Sequence, residues 1–293
     1  MLERRSFPVL MIMPAALFIL LVVAFPIAFN GWLMFQTWNI RTVSNINFVG
    51  LANFQRMLGD AVFWRSFANT FQYVAMAVTG EFLTGLGLAL VLQRQFRGAG
   101  LIRSIIMVPL FIVPVIVALI WRIIYNQEFG PLYYTLQTLG MVSGGQASFG
   151  LSSPTAAMAF IVMASIWQIM PFVFLVLVAG LQGIPRERYE AAKIDGANTL
   201  QEFLYITLPA LKSLILFVLL FRIMESFKVF DLVVMLTGGG PGSSTEVTSL
   251  YIYRQAFQYF DMGYAAVLAM ALMAVVLVLS LVLVSVMRVQ RNV

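Results

Sequence analysis

The sequence has no cysteine and no histidine, so disulfide scaffolds, thiolate metal sites and imidazole catalysis are all excluded. It also lacks a G-x-x-x-x-G-K-[ST] phosphate-cradling loop, so any nucleotide chemistry belongs to a partner. No nucleophile–base or metal-ligand constellation stands out, which leaves a membrane-bound enzyme without support. Charge is sparse: only 10% of the 293 residues are Asp, Glu, Lys or Arg.

What is there is apolar. Hydrophobic residues make up 61% of the chain, and the mean hydropathy is +0.92, which places the chain in a bilayer. Apolar runs long enough to cross roughly 30 Å of hydrocarbon recur near 8–36, 68–92, 104–125, 155–181, 208–236 and 263–287. No segment shows the strict alternation of a barrel strand, so the expected fold is an all-α bundle of six transmembrane helices in a single domain over 1–293. Arg4-Arg5-Ser6-Phe7 resembles a twin-arginine leader faintly, but the apolar run behind it is too long for a signal peptide and has no clear small-x-small cleavage site, so a retained helix is expected.

Basic residues set the orientation. With the amino terminus inside, Arg4, Arg5, Arg94, Arg97, Arg103, Arg186, Arg188, Lys193, Lys212, Arg288 and Arg291 are cytoplasmic, against Arg41, Arg56, Arg65 and Arg254 outside. Both termini are therefore expected in the cytoplasm. The net charge of +6 reflects this arrangement and contact with anionic membrane lipids, and nucleic-acid binding is a poor reading of it.

The connector around 47–67 mixes aromatics with Asn, Arg and Asp, as short interfacial helices or an ordinary amphipathic loop would. The segment 126–153 is Gly- and Ser-rich and reads as a solvated outer loop or a partner contact. In the second run Gly80, Gly85 and Gly87 form a small-residue patch for close helix packing. Glu81, an ionisable group at that depth, is expected to face another helix or the other half of a dimer.

The longest polar connector between spans on the inner side is 183–207. Pro185 opens a short helix over about 186–195 with Glu187 and Glu190 near its amino end, and Gly196 closes it. Thr199-Leu200-Gln201-Glu202 reads as a capping box, with Thr199 as N-cap of a second short helix, and Pro209 marks entry into the next span. The result is a helix-turn-helix elbow with Ala191, Ala192, Gly196 and Ala197 at its bend. Such a bend can enter a groove, and Glu190 offers a carboxylate to a partner arginine.

Glu190-Ala191-Ala192, three residues, Gly196, nine residues, then Ile206-x-Leu208-Pro209 resembles the coupling loop of bacterial ABC importer permeases, and Asp195-Gly196-Ala197 agrees with it. Phe48-Val49-Gly50-Leu51-Ala52-Asn53-Phe54 and Leu236-Thr237-Gly238-Gly239-Gly240-Pro241, followed by Ser244-Thr245, resemble the maltose-type carbohydrate uptake permeases, which also include glycerol-phosphate carriers. The resemblance covers residues from about 7 to the end. It implies a type I ABC importer permease fold in the plasma (bacterial inner) membrane, an elbow docked in an ATPase cleft through Glu190, Ala191, Ala192, Asp195 and Gly196, and a second, similar permease subunit. It also implies an ATPase dimer that binds the ATP and Mg, this chain holding no cofactor, and an extracytoplasmic solute-binding protein. The bendable Gly238, Gly239, Gly240 and Pro241 face that binding protein. Alternating access follows, and the solute is a sugar, glycoside, polyol or phosphate-bearing relative.

Counting from Leu208 places Arg222 roughly 21 Å and Glu225 roughly 25 Å into the fifth span. Arg222, Glu225, Lys228 and Asp231 recur every third residue with alternating sign, which fits an internally paired ladder. Alternatively Arg222, Glu225 and Ser226 line a polar pocket for the solute. Trp167 and Gln168, just before Pro171, suit a sugar face and its hydroxyls or plain helix packing, and Phe172 and Phe227 are weaker candidates. An ion-driven secondary transporter or channel is the rival reading, with Glu81, Arg222, Glu225 and Lys228 as a relay, but it leaves the loop at Glu190 unexplained.

Overall fold

The computed structural model describes residues 3–42, 46–93, 96–141 and 150–289, and within these the side chains of all but 3–10, 42 and 286–289. Of the basic residues used above for orientation, Arg94 and Arg291 lie outside the described residues, as do the side chains of Arg4, Arg5 and Arg288.

The chain is helical nearly throughout. In order it forms α1 (Glu3–Leu33), α2 (Ala52–Gly59), α3 (Ala61–Leu92), α4 (Ala99–Met107), α5 (Pro114–Ile124), α6 (Pro131–Thr138), α7 (Ala157–Gln182), α8 (Arg186–Ile194), α9 (Thr199–Glu202), α10 (Leu208–Ser226), α11 (Asp231–Leu236), α12 (Thr248–Tyr253) and α13 (Met262–Val289). Among the described residues five helical stretches are long and apolar enough to cross a membrane: Met11–Leu33, Ala61–Leu92, Ala157–Gln182, Thr199–Ser226 and Met262–Ser285. A further apolar pair, Ala99–Phe111 and Pro114–Ile124, meets at 103°, the geometry of a broken span or a re-entrant loop.

That break corrects the expectation of a continuous third span. Pro114 has no N–H to donate and pushes the residue before it out of the helical region, and Val113 is accordingly at φ −59°, ψ 135°, after a short 3₁₀ turn over Val108–Phe111. The fifth span is shifted as well. Thr199–Glu202, a π turn over Phe203–Thr207 and α10 run on as one helix, so the second arm of the elbow is the beginning of the span. The Leu208 N–H reaches back to Phe203 O just ahead of Pro209. At its other end this span stops at Ser226, ten residues before the expected 236, and Asp231 opens the separate α11.

Two compact units are distinguishable, Met1–Phe63 with Tyr251–Val275, and Trp64–Leu250 with Val276–Val293. In the first, a two-residue antiparallel ladder pairs Gln36 with Phe48 and Thr37 with Asn47, a detail not foreseen in an all-α reading. The buried Asn53 of α2 donates to Met34 O and Gln36 O at 3.1 and 2.9 Å, tying α2 to the chain leaving α1. The expected run of interfacial helices is therefore one short helix, since Phe63, Trp64 and Phe67 already belong to α3.

Asp60 organises the same unit. Its Oδ1 accepts from the amides of Val62 and Phe63, capping α3, and its Oδ2 accepts the hydroxyls of Tyr251 and Tyr264 at 2.5 Å each. Arg56 pairs with Asp261 at 2.6 Å and lies 3.9 Å over the Tyr264 ring. Burial works against the Asp60 charge, yet the two tyrosine hydroxyls and two amides outweigh it and hold the carboxyl below its ordinary 3.8.

In the second unit α3, α7 and α10 share an apolar core that includes Leu86, Ala89, Val173, Phe174, Leu177, Leu211 and Val218. Close approach explains two of the three span glycines: a Cβ on Gly80 would lie 2.3 Å from Ile166, and one on Gly85 2.7 Å from Val173. Gly87 meets nothing within 4 Å and is outside that contact.

Candidate functional site

Helix α8 begins after Pro185 and ends in a Schellman motif: Gly196 N–H bonds Lys193 O and Ala197 N–H bonds Ala192 O. Gly196 sits at φ +81°, the left-handed conformation that the sequence assigned to it. One residue after Ala197 the next helix is capped, but by Asn198 and not by Thr199. The Asn198 side chain accepts from Gln201 N at 2.9 Å, and Gln201 Oε1 in turn accepts from Asn198 N at 2.8 Å. The box is shifted by one because Asn, with its short carbonyl arm, competes well for the N-cap, and Gln201 can take the role expected of Glu202.

The elbow is braced by a hydrogen bond of 2.9 Å between Tyr189 Oη and Thr207 Oγ1. Glu190, Ala191, Asp195 and Gly196 are exposed and Ala192 is half-buried. A groove of about 550 Å³ runs along Arg188, Ala191, Ala192, Asp195, Tyr205, Ile206 and Pro209. Ile194, at 87% exposure, and Tyr205, at 77%, stand out beside it.

The charged residues of the spans form a different arrangement from the ladder. Arg222 turns to α3, its Nε 2.7 Å from Glu81 Oε2 and its Nη2 3.1 Å from Glu81 Oε1, a bidentate pair. Ser165 donates to Glu81 Oε1 at 2.9 Å, Tyr73 donates to Ser165 at 2.9 Å, and Arg222 Nη2 also reaches Ser226 Oγ at 3.2 Å. Glu81 is 0% and Arg222 7% exposed. Glu81 thus faces another helix of its own chain, and the pair an ion relay would need free is mutually neutralised. Tyr73 and Ser165 were not singled out from the sequence. The available signal was spacing, since Tyr73 lies eight residues, about two turns, before Glu81.

Glu225 pairs with Lys228 at 2.6 Å, both well exposed, so one step of the expected ladder forms and the others do not. Gln168 is buried, and its Nε2 donates to Ile112 O at 3.0 Å, satisfying a carbonyl freed at the broken span. Trp167 lies edge-on to Trp121 at 5.8 Å, Phe172 packs on Phe221, and Phe227 is buried against Phe71. Helix α7 passes through Pro171 without interruption.

Tyr73, Ser165, Gln168, Arg222, Glu225, Ser226 and Lys228 nevertheless converge on one small cavity of about 140 Å³. Four of the five residues singled out for the solute route line it, and Trp167 does not. Ligand pockets usually measure roughly 300 Å³ or more. This chain alone, in this conformation, encloses less.

The glycine-rich turn is internally bonded. Gly238 and Gly239 have φ of +61° and +89°, Gly239 N donates to Thr237 Oγ1, and Thr245 bonds Thr237 Oγ1, Gly240 O and Gly239 O. The Gly240–Pro241 peptide is cis. Arg65 and Asn69 of α3 hold the far side of the turn at Ser243 and Glu246.

Residues 81–291 match the model of a family described as binding-protein-dependent transport system inner membrane component. A probable ABC transporter permease, y4oQ of Sinorhizobium fredii, is 35% identical over 94% of this chain and 88% of its own length. The trehalose/maltose transport system permease MalF of Thermococcus litoralis is 36% identical over 92% of this chain and 89% of its own. The sulfoquinovosyl glycerol transport system permease SmoG of Agrobacterium fabrum is 33% identical over 93% and 87%. Among solved structures, a chain of a bacterial ABC transporter involved in import of the acidic polysaccharide alginate superposes with a TM-score of 0.82 at 23% identity, covering 98% of this chain and 96% of that one. A chain of an alginate ABC transporter in complex with an alginate pentasaccharide-bound periplasmic protein gives 0.80 at 22% identity, over 96% and 93%.

Proposed function

The chain belongs to the binding-protein-dependent transport system inner membrane component family, and from that premise we propose that it carries a sugar or sugar-like solute across the plasma membrane as one permease subunit of an ATP-binding cassette importer. Relatives that match along nearly their whole length are named for trehalose/maltose and for sulfoquinovosyl glycerol, which supports a carbohydrate cargo. The chain is a transport component and not an enzyme.

One observation carries the mechanism: a rigidly capped elbow, Schellman motif and capping box back to back, that exposes Glu190 and carries a groove lined by Ala191, Ala192 and Asp195. Its small residues admit a partner closely, and the exposed Ile194 and Tyr205 offer apolar contact. The occupant is an ATPase subunit, two copies of which bind ATP and Mg. The excess of basic residues on that side supports a cytoplasmic elbow and cytoplasmic termini. The elbow's second arm is continuous with a span, so a displacement of the ATPase is transmitted directly into α10, where Arg222 and Ser226 border the small cavity.

Trp167, Gln168, Arg222, Glu225 and Ser226 flank the solute route, which a second, similar permease subunit completes. The bonded turn at Gly238, Gly239, Gly240 and Pro241 faces an extracytoplasmic binding protein, as the periplasmic partner of the alginate transporter suggests.

The test is recovery of the assembled importer through a tag on this chain, with uptake of labelled disaccharide from its binding protein. Glu190→Ala is expected to leave the chain in the membrane and to lose the ATPase and uptake together, since truncating one partner of a buried charge pair costs about 2–5 kcal/mol. Full ATPase recovery with normal uptake would overturn the elbow's role. Uptake that persists without ATP would overturn the importer reading itself.

A further inference from the structure

Arg103 is used neither by the elbow nor by the solute route. It stands on α4, and its Nη2 donates to Leu92 O at 2.6 Å. Its Nε is buried and has no partner among the described residues. A guanidinium holds five donors in a planar fork suited to two oxygens of one phosphate.

Beside it, α4 and α7 leave a groove of about 490 Å³. Its rim is polar, with Arg103, Ser104 and Gln182, and its length is apolar, with Met107, Phe111 and Leu175. Gln182 is the last residue of α7, so the rim lies at the elbow end of the span. From Gln182 to Phe174, also a lining residue, is eight residues, about 12 Å along the helix, against roughly 15 Å for one leaflet's hydrocarbon. Phe111 is 79% and Leu175 46% exposed, so the groove is open along its side.

We propose that this groove binds one anionic phospholipid of the leaflet on the elbow side, its phosphate on Arg103 and its acyl chain laid along Met107, Phe111 and Leu175. The charge gradient along the groove selects this occupant: one cationic end and one apolar length. A soluble phosphate would leave the apolar length empty, and an apolar helix of another subunit would leave the guanidinium without an anion. Basic pockets between spans on the cytoplasmic side are recognised headgroup sites.

The assembled importer in nanodiscs, of phosphatidylcholine alone or mixed with phosphatidylglycerol, tests this by native mass spectrometry of retained lipid. Phosphatidylglycerol is expected to be retained in preference to phosphatidylcholine. Arg103→Gln should reduce that retention roughly tenfold, as befits loss of a charge-assisted hydrogen bond, and Arg103→Lys should keep the preference. Ala179→Trp fills the groove while leaving Arg103 on Leu92, and should expel the lipid with the complex still assembled. Equal retention of both lipids, retention unchanged in Arg103→Gln and Ala179→Trp, or displacement of the lipid by free glycerol phosphate would each overturn the proposal.

Discussion

The Arg222 guanidinium and the Glu81 carboxylate meet at 2.7 and 3.1 Å, the carboxylate fully buried and the guanidinium nearly so, joining α10 to α3 within the second unit. Two charges in such a setting are tolerable only because each completes the other, and because Ser165, Tyr73 and Ser226 take up further polar capacity. The pair locks two spans to one register, and one of those spans is the continuation of the elbow.

Removing one partner should therefore cost more than removing both. Arg222→Met alone, leaving Glu81 buried and unpaired, is expected to cost about 3–5 kcal/mol, and Arg222→Met with Glu81→Met less than the single change. Thermal unfolding of the detergent-solubilised importer, followed for the two single variants and the double, measures this. A double variant as costly as the two singles together would show that the pair is not the source of the cost.

Glu81 and Arg222 also show how far the sequence could be read. Each was conspicuous as a charge in an apolar run, and Glu81 was expected to face a helix. What could not be read was their pairing, because they lie 141 residues apart, and the eye pairs Arg222 with Glu225 at three residues. The elbow is legible nearly to the residue, since caps and left-handed glycines are local chemistry. The cap moved only from Thr199 to Asn198. The broken third span was written in Pro109 and Pro114, but hydropathy averages over prolines. The Asp60 cluster was invisible, its tyrosines coming from 191 and 204 residues away.

That cluster has a pH signature. The Asp60 carboxyl is held below 3.8, so its contribution to stability is complete above that value and is lost as pH falls through the lower folded value. Tyr251 is pushed up from 10.0, chiefly by burial and then by the bond to Asp60, so its contribution holds below pH 10.0 and fades above it. The difference in thermal midpoint between the native chain and Asp60→Asn should be flat across neutral pH and shrink below about pH 4. A difference that persists unchanged into strong acid would remove Asp60 ionisation as its cause.

Gly85 and Gly87 form a matched pair two residues apart. Alanine at 85 would put its Cβ 2.7 Å from Val173 Cβ and 3.1 Å from Phe174 N, contacts that only movement of α3 against α7 can relieve. Overpacking of this kind costs about 1–3 kcal/mol. Alanine at 87 meets nothing within 4 Å and should be neutral or slightly stabilising. Unfolding midpoints of the two variants decide the matter, and equal loss in both would indicate a general intolerance of α3 to alanine.

The elbow's two caps can be separated by residue. Gly196 has open space around its missing Cβ but a φ of +81°, so Gly196→Ala pays only for backbone, about 1–2 kcal/mol. Asn198→Ala removes the carbonyl that accepts from Gln201 N and should cost about 1 kcal/mol, whereas Thr199→Ala, in the first turn, should cost next to nothing. None of these touches the buried core of the spans, so all three chains should reach the membrane. If the caps matter by holding Glu190 at a fixed angle to α10, the Gly196 and Asn198 variants will recover less ATPase per chain while Thr199→Ala recovers the native amount. A deficit for Thr199→Ala equal to that of Asn198→Ala would return the cap to Thr199.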